Sequence, residues 1–206
     1  MRTSLRLLCA VALLGGVGYA NADIVYDNTE TVIGTIGFAA IGTDYANIVE
    51  LDGTAREVSE LTVYLDKQRD WNVGTIDFRV RLWSVDDLGT PDEMLYESNV
   101  INDFDLERVP IIFPVTFAIP NVLVEDTFAF SGAILERDST LAVGYRKFGP
   151  PITGTWFDAQ FLAAGGSSWT PDGAPISLGA QVTAVPEPAG LVGLLLGSLV
   201  ALRRRG

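Results

Sequence analysis

The chain has 206 residues, with 14 basic against 26 acidic side chains, no histidine and one cysteine. That length suits one domain of ordinary size, and the lack of histidine excludes Ser-His-Asp and Cys-His catalysis and leaves any metal site only oxygen ligands. A formal charge of −12 argues against nucleic acid, whose phosphates demand a basic surface, and a single cysteine allows no intrachain disulfide.

Mean hydropathy is +0.28, high for an acidic domain, and the two ends account for it. Arg2 and Arg6 precede an apolar run from Leu7 to Gly18, followed by Ala20-Asn21-Ala22. Basic residues, a short apolar stretch and a small-x-small site predict a secretory signal peptide over 1–22, engaged by the secretion translocon and cut after Ala22. The run is too short to span a bilayer, which takes about 20 residues. Cys9 lies within it as an ordinary apolar residue, so the mature chain, beginning at Asp23, has no cysteine.

From Asp23 to Ala184 the pattern is that of strands. The expected strands are Ala46–Leu51, Glu60–Leu65, Ile76–Leu82, Glu93–Ser98, Ile111–Ile119, Thr127–Leu135, Thr140–Arg146, Thr155–Leu162 and Gly179–Thr183. The clearest is Ile76–Leu82, with Ile76, Phe78, Val80 and Leu82 inward and Asp77, Arg79 and Arg81 outward. A period of two over that length fits a half-buried strand and not a helix. Pro110, Pro114 and Pro120 mark Ile111–Ile119 as an edge strand, because proline cannot donate to a ladder. Turns are expected at Asp52-Gly53, Leu88-Gly89-Thr90-Pro91, Gly149-Pro150-Pro151 and 165–168, with Gly34, Gly37 and Gly42 in turns or bulges. Short strands without strand–helix alternation predict an all-β, antiparallel β-sandwich of jelly-roll type, in one domain over 23–184. The terminal segments carry five of the arginines and Glu187, so this core holds 9 basic and 25 acidic side chains, a net charge of −16. Such a charge keeps an exported domain soluble but specifies no ligand.

The C-terminal segment, 185–206, runs Val185-Pro186-Glu187-Pro188, then a nearly all-apolar stretch over 189–202, then Arg203-Arg204-Arg205. As a helix the stretch would anchor in a membrane, and the three arginines would remain cytoplasmic under the positive-inside rule. This order of elements resembles the PEP-CTERM sorting signal of Gram-negative bacteria. The resemblance implies a membrane enzyme of the exosortase type as partner, recognising Pro186, Glu187 and Pro188 and removing the transmembrane helix during export. It also implies a setting in extracellular polysaccharide or biofilm. A second resemblance covers Phe78–Ser98: Trp83-Ser84, Gly89-Thr90-Pro91 and Leu95 are similar to a hairpin of choice-of-anchor surface domains. It implies a surface sandwich and no chemistry.

Three kinds of site chemistry are open to the core. Asp86, Asp87, Asp92, Asp103, Asp105, Glu107, Glu125, Asp126 and Asp158 could supply a pair of catalytic carboxylates, although turns favour Asp for local hydrogen bonds. Calcium is a candidate ligand of Asp86, Asp87 and Asp92, or of Asn102–Glu107, but neither run has EF-hand spacing. Trp83 shares the parity of Arg79 and Arg81, while Trp156 shares a face with Asp158 and Gln160; an indole beside polar groups suits a sugar ring. The expectation is a non-catalytic, exosortase-sorted surface or matrix protein associated with extracellular polysaccharide, anchored in the inner membrane in transit. The competing class is an exported carbohydrate-active enzyme using two carboxylates.

Overall fold

The computed structural model describes residues 22–35, 39–67, 74–138, 143–164, 168–171 and 178–186, with backbone alone at 35, 108, 156–162 and 164. Ala20, Glu187, Pro188, the apolar stretch 189–202 and Arg203–Arg205 therefore lie outside the described residues, as do both expected flanking helices. One compact unit spans Ala22–Val185. Its strands are β1 (Asp23–Asp27), β2 (Val32–Thr35), β3 (Thr43–Glu50), β4 (Glu57–Asp66), β5 (Thr75–Val85), β6 (Pro91–Glu97), β7 (Ile101–Asp105), β8 (Ile112–Leu123), β9 (Thr127–Arg137), β10 (Gly144–Phe148), β11 (Thr155–Ala164), β12 (Thr170–Pro171) and β13 (Ala180–Val185). A single 3-10 turn, Leu106–Arg108, is the only helical element among the described residues.

These strands form two antiparallel sheets, a β-sandwich-like arrangement. In the first, β4 pairs with β8 along one side and with β13, then β10, along the other; β1 lies beyond β13 and β2 beyond β10. In the second the order is β12-β11-β3-β9-β5, with β6 and β7 sharing the far side of β5. Each of the nine expected strands has a counterpart; that expected at Thr140–Arg146 is Gly144–Phe148, with Val143 described and outside the strand and 139–142 outside the described residues. β1, β2, β7 and β12 were not expected. They are two to five residues long, and β7 reads Ile-Asn-Asp-Phe-Asp, too short and too polar for a period to register.

The proline reading of the edge holds. β8 pairs only with β4 among the described residues, and its side chains alternate: Phe113, Val115, Phe117 and Ile119 are buried, Pro114, Thr116, Ala118 and Pro120 exposed. Glycine supplies the positive φ at two of the expected turns, Gly53 at 65° and Gly89 at 75°.

Between the sheets the core is aromatic. Phe78 of β5 meets Phe117 of β8 at 5.7 Å between ring centroids, Tyr45 of β3 meets Tyr145 of β10 at 5.1 Å, and Tyr26 of β1 meets Phe130 of β9 at 6.4 Å. Gly132 of β9 faces this layer. A methyl there would stand 3.0 Å from both the Phe78 and the Tyr145 ring, so the missing side chain is what lets the two rings approach each other. Phe78→Ala should therefore lose roughly 3–5 kcal/mol of unfolding free energy. Gly132→Ala should lose about 1–3 kcal/mol by overpacking. In the double variant the cavity accepts the methyl, so urea unfolding should show a loss smaller than the sum by on the order of 1 kcal/mol. Strict additivity would contradict the shared-space account.

Candidate functional site

The outward parity of the second sheet carries the densest polar chemistry among the described residues. Asp44 and Ala46 of β3 stand opposite Ala133 and Ser131 of β9, which stand opposite Arg79 and Arg81 of β5. Arg81 also stands opposite Glu97 of β6. Strands lie about 4.8 Å apart, so a guanidinium on β5 reaches Asp44 only by lying over the middle strand. The small side chains of Ser131 and Ala133 leave it that path. Arg81 Nη1 donates to Asp44 Oδ2 at 2.8 Å and its Nε to Glu97 Oε2 at 2.6 Å. Arg79 Nη1 shares the same Glu97 oxygen at 3.1 Å. Trp83 Nε1 donates to Ser131 Oγ at 2.9 Å, and Ser131 Oγ donates on to Asp44 Oδ1 at 3.0 Å.

This group is closed rather than open. The Asp44 side chain is 1% exposed and that of Arg81 8%, whereas Glu97 retains 38% at the rim. The Arg81 guanidinium sits 5.7 Å from the centroid of the Trp83 ring, and Trp169 packs edge-on against Trp83 at 5.1 Å. Burial raises the Asp44 pKa above the usual carboxylate range, while Arg81 and the Ser131 hydroxyl pull part of that shift back. Arg79 Nε is buried without a hydrogen-bond partner among the described residues.

Arg79 and Arg81 thus point away from the core, as their parity predicts, yet not into water. Trp83 is only 5% exposed. It works here as a packed indole with a satisfied N–H, and its ring offers no open platform for a sugar. Trp156, Asp158 and Gln160 lie on β11, with Trp156 opposite Val49 and Gln160 opposite Asn47 across an irregular register; their side chains are outside the described residues. The alternation of Arg79 and Arg81 hid the cluster, but β9 carried a signal. Phe-Ala-Phe-Ser-Gly-Ala-Ile, over 128–134, is apolar or small on both parities, the mark of a strand covered on both faces.

The acidic runs resolve into local structure. Asp86 Oδ1 accepts the backbone N–H groups of Leu88 and Thr90 at 2.9 and 2.8 Å, holding the loop that joins β5 to β6. Asp87 and Asp92 are exposed. Asp105 accepts the Glu107 N–H at 2.9 Å and caps the 3-10 turn. Asp126 pairs with Arg56 at 2.6 Å, next to Glu125. Asp103 joins Asp77, Glu136, Arg137, Asp138 and Thr75 around a recess of about 200 Å³. There Asp77 accepts the Asp103 N–H at 2.9 Å and Asp138 the Thr75 N–H at 2.7 Å. No group of three acidic side chains able to hold a metal ion occurs among the described residues. Of the acids named for calcium, Asp86 is committed through Oδ1 to its own turn, and Asp87 and Asp92 face solvent.

Two outcomes test the buried cluster. Arg81→Met leaves Asp44 buried without its cation and should cost roughly 3–5 kcal/mol in urea unfolding, while Arg81→Met with Asp44→Leu should recover most of that loss. The raised Asp44 pKa sets the sign of a pH effect. Between the ordinary carboxylate value and the raised one, the folded chain holds a proton that the unfolded chain releases, so stability falls as pH rises through that window and levels off above it. Unfolding titrations of wild type and Asp44→Asn should show the wild type's relative stability shrinking from acid to neutral pH; a gain would mean that Arg81 outweighs burial. In comparisons with protein-family models, curated proteins and solved structures, the chain has no match.

Proposed function

We propose that the chain is a non-catalytic exported β-sandwich protein, held at the inner membrane in transit and sorted by an exosortase-type enzyme to the cell surface or extracellular matrix. The observation that carries this reading is the order Pro186-Glu187-Pro188, apolar 189–202, Arg203-Arg204-Arg205, placed immediately after the last strand of the compact unit. A net charge of −16 on the core supports a soluble life outside the membrane. The strand orders β1-β13-β4-β8 and β3-β9-β5-β6 support the jelly-roll assignment, because the chain crosses between the sheets as a jelly roll does.

The state of the carboxylates favours a binding or structural role over hydrolysis. A glycosidase needs two acids free to exchange protons across a bond. Asp44 and Glu97 are tied to Arg81, and Asp77 and Asp138 each accept a backbone N–H. The matrix polysaccharide is the partner this reading implies. β11, with Trp156, Asp158 and Gln160, is where contact with it is sought.

The test follows the mature protein's mass and location in cells with and without an exosortase. Two changes of mass are expected in wild-type cells, one from loss of 1–22 and one from loss of the arginine tail. Deleting the enzyme, or replacing Glu187 by Ala, should leave the tail in place and the protein in the membrane fraction. An intact Arg203–Arg205 tail in wild-type cells would end the sorting proposal.

A further inference from the structure

The first and last strands of the described unit are neighbours. β13 is an interior strand of the first sheet, running against β4 from Ala180 opposite Val63 to Val185 opposite Glu57. On its other side it runs against β1, from Asp23 opposite Ala184 to Asp27 opposite Gln181. Side chains clasp the same two segments. Asn28 Oδ1 accepts the Ala180 N–H at 2.8 Å, and Asn28 Nδ2 donates to the Leu178 carbonyl at 2.9 Å. Asn47 Oδ1 accepts the Leu178 N–H at 2.8 Å, and Gln181 Nε2 donates to Asp27 Oδ2 at 2.8 Å. Val25, Tyr26, Val182 and Ala184 are buried together in one core.

Apart from β13, β1 is held by a few backbone contacts and by burial of Val25 and Tyr26, whose ring meets Phe130 of β9. Its Asp27 bridges to Thr153, with Ile152 and Thr153 donating to the Asp27 carbonyl, and its Val25 carbonyl accepts the Asp52 N–H. Its full ladder is with β13 alone among the described residues. By contrast, β4 with β8 and β3 with β9 and β5 pair along their lengths without any residue of β13.

We propose that β13 is a latch that closes the sandwich last: until residues 178–185 dock, β1 lacks its ladder and the slot beside β4 stands open. The Asn28–Ala180 contact joins residues 152 apart in sequence, so its loop entropy must be met before any contact there repays it. In a chain made from its N-terminus the latch is also the last piece to arrive. The location of the event rests on the sorting reading above. Pro186 directly follows Val185, so on that reading the strand that closes adjoins the sorting element in the chain.

The experiment uses the full-length chain refolded in mild detergent and pulse-labelled by hydrogen exchange. The Val25, Tyr26 and Val182 amides should gain protection together in the slowest phase, after those of Phe78–Leu82 and Phe128–Ile134. Protection of β1 with or before β5 and β9 would overturn the latch. A second measurement uses the folded Asn28→Ala chain: exchange of the Val25 and Tyr26 amides should rise about tenfold, with that of Val80 changed less than about threefold. Equal acceleration at both places would also overturn it. The mass of the exported chain is read separately, so failure of sorting and failure of the latch give different results.

Discussion

β9 is covered on both faces, and the two layers of the molecule meet in its residues. On one parity Phe128, Phe130 and Ile134 enter the core, with Gly132 vacating the space that Phe78 and Tyr145 occupy. On the other, Ala129, Ser131 and Ala133 make a low floor over which Arg81 reaches Asp44 and against which Trp83 packs. Large residues on the first parity and small ones on the second are therefore complementary requirements of one strand. Enlarging the floor would lift the guanidinium off its carboxylate. Enlarging Gly132 would push the aromatic layer apart.

The ion cluster is a costly device in a domain this acidic. Taking charges out of water is repaid only where geometry is good and the remaining donors and acceptors are met. Here two arginines and two carboxylates form a locally neutral group, with Ser131 filling the second Asp44 oxygen and the indole N–H filling the hydroxyl, while Arg79 Nε is left without a partner among the described residues. A slip of one residue in β5 would send Arg81 into the core and Leu82 outward, an exchange that both layers forbid. With one cysteine the chain has no intrachain disulfide to pin it, so strand registry falls to packing and to clusters of this sort.

Alternation over Glu60–Leu65 and Ile76–Leu82 made β4 and β5 legible from sequence, and the prolines of β8 identified its edge. What was not legible depends on partners distant in the chain. The parity of Trp83 follows from its neighbours, but its burial follows from Trp169, which no local pattern connects to it. Asp44 is separated from Arg81 by 37 residues and from Ser131 by 87, so the cluster had no motif to announce it. The acidic runs are the opposite case: turn chemistry that favours Asp for local hydrogen bonds was legible from the sequence, and Asp86 and Asp105 make such bonds.

The pairing of β1 with β13 brings together the two ends of the described unit, which their sequence separation conceals. Asp23, the first residue after the expected signal cleavage, stands opposite Ala184, two residues before Pro186. A strand held on both sides, with Ala184 wholly buried, resists being drawn into a processing enzyme, so such an enzyme must work on the residues beyond Val185 or on a chain whose last strand has not yet docked. The two choices place processing after or before closure of the sandwich. Because β13 ends at Val185, directly before Pro186, the proposed sorting element would have no spacer from the strand, and that ordering would follow from the fold.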